Sequence, residues 1–264
     1  MKRVAFSILL VAALLLGLVG TALAAPPDDH PGKGPPVFEK SVFIHYPKEF
    51  APGKPDGTPG VGPAKKTKDT ELYSYSKTHW PDSVVLNGGI TYCYNPANEP
   101  GDFEAAIIAS FDAWEEDPGS YVDFEHMGGT EEVPGLDVPQ PDGQNIVGWA
   151  DLSDDYPNAI GITIIWSYRS RSEKIIVDCD TVLNSNSYYA WTASDGQQLP
   201  DTGAYDVDVQ NIMTHEAGHW LMLNDMYYDA ASEQTMYGYA SDAELKKRSL
   251  EDGDLAGVRR IYGE

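Results

Sequence analysis

Cysteine is scarce in this chain: of 264 residues only Cys93 and Cys179 carry a thiol. Two cysteines exclude a four-cysteine zinc site and a disulfide-dense miniature scaffold. Each lies in a strand-like run, ITYCYN and KIIVDCDTVLN, with Cys179 alternating onto the apolar side with Val177 and Leu183. A bridge and two buried thiols both remain open, because only Cα separation decides between them. Basic residues are scarce too, 18 Lys and Arg against 41 Asp and Glu, a formal charge of −23. A surface of that sign cannot displace the counterions of a phosphate backbone, so nucleic acid is excluded as a partner. No repeat is present, and after residue 25 no apolar run is long enough to cross a bilayer.

Residues 1–24 begin with Lys2 and Arg3, continue through an apolar run, and end in Ala22-Leu23-Ala24, the pattern of a cleavable signal peptide. A secreted protein without stable membrane association after cleavage is expected, acting as a monomer. Residues 25–77 are rich in Pro and Gly, with one strand-like island, Ser41–Tyr46; the rest is expected to be extended and mobile, as arm, linker or propeptide. Order is expected from about Trp80, giving a main domain over 78–264.

Within that domain, strands are expected at 90–95, 121–126, 145–150, 159–168 and 174–183. A first helix should follow Asp102 as N-cap, with Phe103, Ile107, Phe111 and Trp114 on one stripe. A second should run from about Val207 to Leu223. A third is expected over Leu250–Tyr262, with Ser249 and Asp252 as its capping box and Leu255, Val258 and Ile261 as its buried stripe. That order implies an α+β domain with a mixed sheet.

The second helix carries His215-Glu216-Ala217-Gly218-His219. Residues four apart lie about 40° from each other around a helix, so both imidazoles can bind one ion and Glu216 can take a proton from water beside it. A catalytic zinc takes three protein groups and leaves one position for water. The six histidines are His30, His45, His79, His126, His215 and His219, and none follows His219. A third ligand beyond the helix must therefore be a carboxylate: Asp225 is nearest, with Asp229, Glu233 and Glu244 behind it. On an unbroken helix six residues advance about 600°, turning Asp225 about 120° from His219. The chain must then turn between Leu221 and Asp225. Either Met222 adopts a left-handed conformation or Asn224 completes the turn, and Asn224, which tolerates it better, is expected to do so.

HEAGHWLMLND resembles the extended metzincin motif H-E-x-x-H-x-x-G-x-x-H/D, in the aspartate-ending variant of snapalysin-like enzymes. Gln234-Thr-Met236-Tyr-Gly is similar to the Met-turn, and Leu250–Gly263 to the closing helix of matrixins. The likeness covers about residues 78–264. It implies a mostly parallel, twisted sheet with an active-site helix and a C-terminal helix. It further implies a zinc endopeptidase with His215, His219 and Asp225 on the metal, Glu216 as general base and Met236 as a floor beneath. Tyr237 would shape a substrate pocket, and a protein or peptide substrate would lie extended along a sheet edge formed by 159–167. The family's glycine is Met222 here, and the matrixin cysteine switch and structural-zinc histidines are absent. Asp151, Asp154, Asp155, Asp178 and Asp180 are candidate calcium ligands, beside the plainer reading of solvated turn carboxylates. Two rivals are a gluzincin-like peptidase with Glu244 as third ligand, and an inactive exported metal-binding protein of the same fold.

Overall fold

The computed structural model describes residues 36–50, 72–170, 173–193, 199 and 201–263; the expected signal peptide and His30 lie outside them. In chain order the elements are β1 (Phe38–Pro47), β2 (Thr78–His79), α1 (Asp82–Val85), β3 (Ile90–Tyr94), α2 (Glu104–Glu115), β4 (Phe124–Gly129), β5 (Ile146–Ala150), β6 (Gly161–Ser170) and β7 (Glu173–Asn184). There follow β8 (Tyr189–Thr192), β9 (Tyr205–Asp208), α3 (Val209–Trp220), β10 (Tyr239–Ala240) and α4 (Asp252–Tyr262), with single 3-10 turns at Asp229–Ala231 and Lys246–Arg248.

Eight strands form one mixed sheet in the order β10-β1-β6-β7-β5-β3-β4, with β2 paired to β7. Pairing is parallel except at β1–β6 and β6–β7. The α+β class and mostly parallel sheet expected from the sequence are therefore present. Both faces of the central strands are covered, which is why β6 and β7 read as near-continuous apolar runs. One face packs on α2, α3 and α4 through Ile107, Phe111, Trp114, Ile212, Met213 and Val258. The other buries Leu152, Ile162, Ile164, Trp166 and Val182. A bulge opposite Trp166 and Ser167 moves Val177 to this second face, away from Cys179. Both cysteines are free.

Three local expectations are corrected. Helix α2 has Phe103 at its N-cap with no side-chain cap, and the Phe103 N–H donates to Glu99 instead of turning the chain at Asp102. The capping box of α4 joins Glu251 and Asp254, not Ser249 and Asp252. Leu255 and Ile261 are only half-buried, the α4 core face being carried by Gly253, Asp254, Gly257, Val258 and Tyr262.

The largest difference lies before Trp80. Phe38–Pro47 is a ten-residue strand inside the sheet, with β6 on one side and β10 on the other. Its alternation sends Phe43 into the helix-side core and Val42, Ile44 and Tyr46 against the opposite core. The expected free edge at 159–167 is consequently occupied: eight residue pairs, from Phe38 opposite Tyr168 to His45 opposite Gly161, join β1 to β6.

Candidate metal centre

Helix α3 starts where the Asp208 side chain accepts from the Asn211 N–H, 2.7 Å, while the same carboxylate pairs with Arg248. Its periodicity is hidden because nearly all of it is buried. The rings of His215 and His219 stand edge to face, 4.8 Å between centroids. His215 Nδ1 lies 2.7 Å from the Thr235 carbonyl and His219 Nδ1 2.8 Å from that of Leu223. A carbonyl only accepts, so each Nδ1 carries the proton and each Nε2 presents its lone pair. Both lone pairs face Asp225 Oδ1, at 3.1 Å and 3.5 Å. Ligand atoms about 2.1 Å from a tetrahedral ion are spaced by about 3.4 Å. The three residues are thus positioned to hold a metal ion.

Unsatisfied buried atoms cluster at this site and at the neighbouring pair of Glu216 and His45. His215 Nε2, Asp225 Oδ1, Glu216 Oε1 and His45 Nδ1 are all buried with no hydrogen-bond partner, a costly arrangement unless something else satisfies them. Burial holds the His215 imidazole down at about 3, so it stays an unprotonated donor. Asp225 is held well below the usual carboxylate range: burial opposes this, and the His219 ring, which Asp225 draws towards its protonated form against burial, outweighs it; an ion on Nε2 would take that proton's place. The Tyr227 hydroxyl donates to its other oxygen, 3.1 Å.

Asp225 reaches the metal side because α3 stops at Trp220. The Met222 N–H bonds the His219 carbonyl at 2.7 Å and the Leu223 N–H bonds that of Gly218 at 3.1 Å, the two bonds of a Schellman stop. Its left-handed residue is Met222, φ +62°. Asn224, expected from the sequence to complete the turn, does not; its N–H instead donates to the Ser74 carbonyl, 2.8 Å. Segment 74–76 fixes the turn from outside, for the Ser76 N–H also bonds Met222's carbonyl, 3.2 Å. Glu244 belongs to neither metal-capable group and faces Lys246 at 3.9 Å. The unbroken helix required by the Glu244 alternative is not formed.

Glu216 is wholly buried. Trp220 Nε1 donates to Thr181 Oγ1, 2.8 Å; Thr181 and Thr163 hydroxyls lie 2.8 Å apart; Thr163 donates to Glu216 Oε2, 2.5 Å. An indole only donates, so the chain runs one way, towards the carboxylate. Burial lifts the Glu216 carboxyl to about 7, against the pull of His219 and the Thr163 bond. One oxygen is fixed and the other is left to take a proton near neutrality.

Beneath the helix, a Cβ on Gly218 would stand 2.3 Å from Met236 Sδ. Glycine there lets Met236 pack against α3. The buried Asp254 carboxylate accepts from the Thr235 and Met236 N–H groups at 2.8 and 3.1 Å. Through the Thr235 carbonyl it supports the orientation of His215.

Sequence reasoning missed Thr163, Thr181, Asp254 and, above all, His45, Phe43 and Lys247. The Phe43 ring stacks on His219, 4.0 Å between centroids and 16° between planes, and the His45 ring lies 4.0 Å from that of His215. His45 Nδ1 is 3.5 Å from Glu216 Oε1. The wholly buried Lys247, whose ammonium burial lowers to about 8, reaches His45 Nε2 at 3.1 Å and donates to the Tyr237 and Tyr239 carbonyls. A basic residue on a 3-10 turn gave no signal of this.

Other candidates are elsewhere. His126 lies by Glu104, 3.6 Å, and His79 bonds its neighbour's carbonyl. Asp178 and Asp180 accept backbone N–H groups of Gly135, Asp142, Gly143 and Ile146, and Asp151 bonds Ser153 and Asn186. Among the described residues neither metal-capable group includes these carboxylates, Asp154 or Asp155. No described helix is long and apolar enough to cross a membrane. No family model matches the chain, and no curated protein matches it.

Proposed function

We propose that this chain is a secreted, zinc-dependent endopeptidase of metzincin type, with His215, His219 and Asp225 as ligands and Glu216 as general base. The observation that carries the reading is the convergence of two Nε2 atoms and Asp225 Oδ1 at ligand spacing beside the buried Glu216 carboxylate. Two imidazoles with one carboxylate are a donor set that suits zinc. Zinc held there supplies a Lewis acid for a peptide carbonyl and acidifies water towards neutrality. Glu216 Oε1 accepts the proton of the attacking water while Thr163 holds Oε2 still, and the same oxygen returns the proton to the leaving amine. Buried walls exclude competing water and strengthen each of these charges.

The test is hydrolysis of denatured casein, with and without chelator, by the wild type and Glu216→Gln. Because β1 lies along β6, each is assayed whole and after cutting at a specific protease site placed within 51–71. Cut wild type is expected to hydrolyse casein in a chelator-sensitive way; Glu216→Gln is expected to keep its zinc and lose at least about 100-fold in rate. Zinc-loaded cut wild type without turnover would leave the inactive metal-binding protein as the better reading.

A further inference from the structure

The strand that covers the centre has the attributes of a bound peptide. It runs antiparallel to β6 and parallel to β10, with Tyr46 opposite Tyr239 and Pro47 opposite Ala240. Main-chain bonds tie it in on both sides: the Ile160 N–H donates to the His45 carbonyl, 2.8 Å, and the Lys48 N–H to that of Ala240, 2.9 Å. Adding a strand to a sheet edge is how extended peptides are commonly held. Here the added strand belongs to the chain itself.

Its side chains cover the chemistry. Phe43 lies flat on His219, and His45 lies over His215 with Nδ1 facing Glu216 Oε1. If Lys247 donates to His45 Nε2, the remaining ring proton sits on Nδ1, aimed at the carboxylate oxygen that must otherwise take a proton from water. With β1 in place, His215, Glu216 and His219 are no more than 1% exposed, so no second peptide can reach them. β1 is also a poor substrate: it presents an imidazole to Glu216, and the His45 carbonyl is already bound to Ile160.

Building on the peptidase reading, we propose that Phe38–Pro47 is an internal plug occupying the peptide cleft between β6 and β10. The chain is latent while β1 is seated and competent once it leaves. His45 and Phe43 are the residues that make the strand a plug and not merely a strand.

The experiment uses the full chain carrying the specific protease site within 51–71, loaded with cobalt(II) in place of zinc. After cutting and dilution, the plug reading expects the segment bearing residues 36–50 to be lost on gel filtration. The cobalt visible absorption should change as His45 departs, and casein hydrolysis should rise at least tenfold over the uncut chain. A synthetic peptide of residues 36–50 should suppress that activity and restore the cobalt spectrum. The same peptide with His45→Ala and Phe43→Ala should need at least a tenfold higher concentration. A segment that stays bound through dilution, or whose loss unfolds the domain by circular dichroism, would overturn the proposal, as would wild-type and substituted peptides of equal potency. Failure of the peptidase reading looks different: the segment leaves and returns with its spectral change, but no casein is cut in any form. Failure of the metal assignment is different again, since no form then shows a stoichiometric cobalt spectrum.

Discussion

Met222 holds the left-handed position where the metzincin motif has glycine, and the obvious expectation is that Met222→Gly stabilises the protein. The packing argues the reverse. A non-glycine residue in the left-handed region costs about 1–2 kcal/mol, but glycine there adds about 0.4–1 kcal/mol of unfolded-chain entropy, so relief amounts to about 1 kcal/mol. Met222 is only 4% exposed and belongs to the main core. Truncating a buried methionine costs about 2–5 kcal/mol. The loss exceeds the relief, and Met222→Gly should be less stable by about 1–4 kcal/mol, a fall in melting temperature on the order of 2–4 °C per kcal/mol. Met222→Ala supplies the internal control, because it loses the same side chain and keeps the strain; it should melt below Met222→Gly. Metal binding should survive in both, since segment 74–76 holds the turn from outside. Thermal unfolding by circular dichroism decides it. A Met222→Gly protein as stable as wild type, or a Met222→Ala protein above Met222→Gly, would refute the balance.

Two further outcomes are expected. Asp225→Ala should abolish stoichiometric zinc, measured by atomic absorption, and Asp225→His should restore it, while Glu244→Ala leaves it intact; the opposite pattern would return the third ligand to Glu244. Thr163→Val removes the donor to Glu216 Oε2, a bond to the ionised form worth about 1.5–3 kcal/mol. The carboxyl, already raised to about 7, should rise further, so the acid limb of the kcat/KM profile of cut enzyme should move up by one unit or more; an unmoved limb would show that Thr163 does not hold the base.

What was legible from the sequence was what depends on local period and spacing. Helix α3 with its two histidines and glutamate, the α2 stripe, and strands β3 to β7 all follow from patterns a few residues long. Helix caps were not legible, because tertiary demands decided them. Asp254 sits third in α4 since its carboxylate must also hold Thr235 and Met236, and that fixes Glu251 as its capping partner. Both Met222 and Asn224 could make the turn; intrinsic preference favours Asn224, and the need to bury Met222 while Asn224 bonds Ser74 overrides it. The N-terminal strand was hidden for a different reason. Its flanks are rich in Pro and Gly, and composition reads a segment by itself, whereas Ser41, Phe43 and His45 gain meaning only against β6 and α3.

His45 also bears on what kind of metal centre His215, His219 and Asp225 would form. Structural sites close around an ion with four protein ligands, and catalytic ones keep a position open. The group His215, His219 and Asp225 contains three residues, and His45 falls in a different group, with His215 and Glu216. His45 therefore does not complete the first set as a fourth ligand; it lies on the side of Glu216, where water and a peptide carbonyl would have to stand. On the peptidase reading Glu216 has its use there, one oxygen fixed by a directed chain from Trp220 through Thr181 and Thr163. Closure here comes from a strand laid over the three candidate ligands and not from a fourth one, which is what the proposed catalytic centre, covered by its own chain, requires.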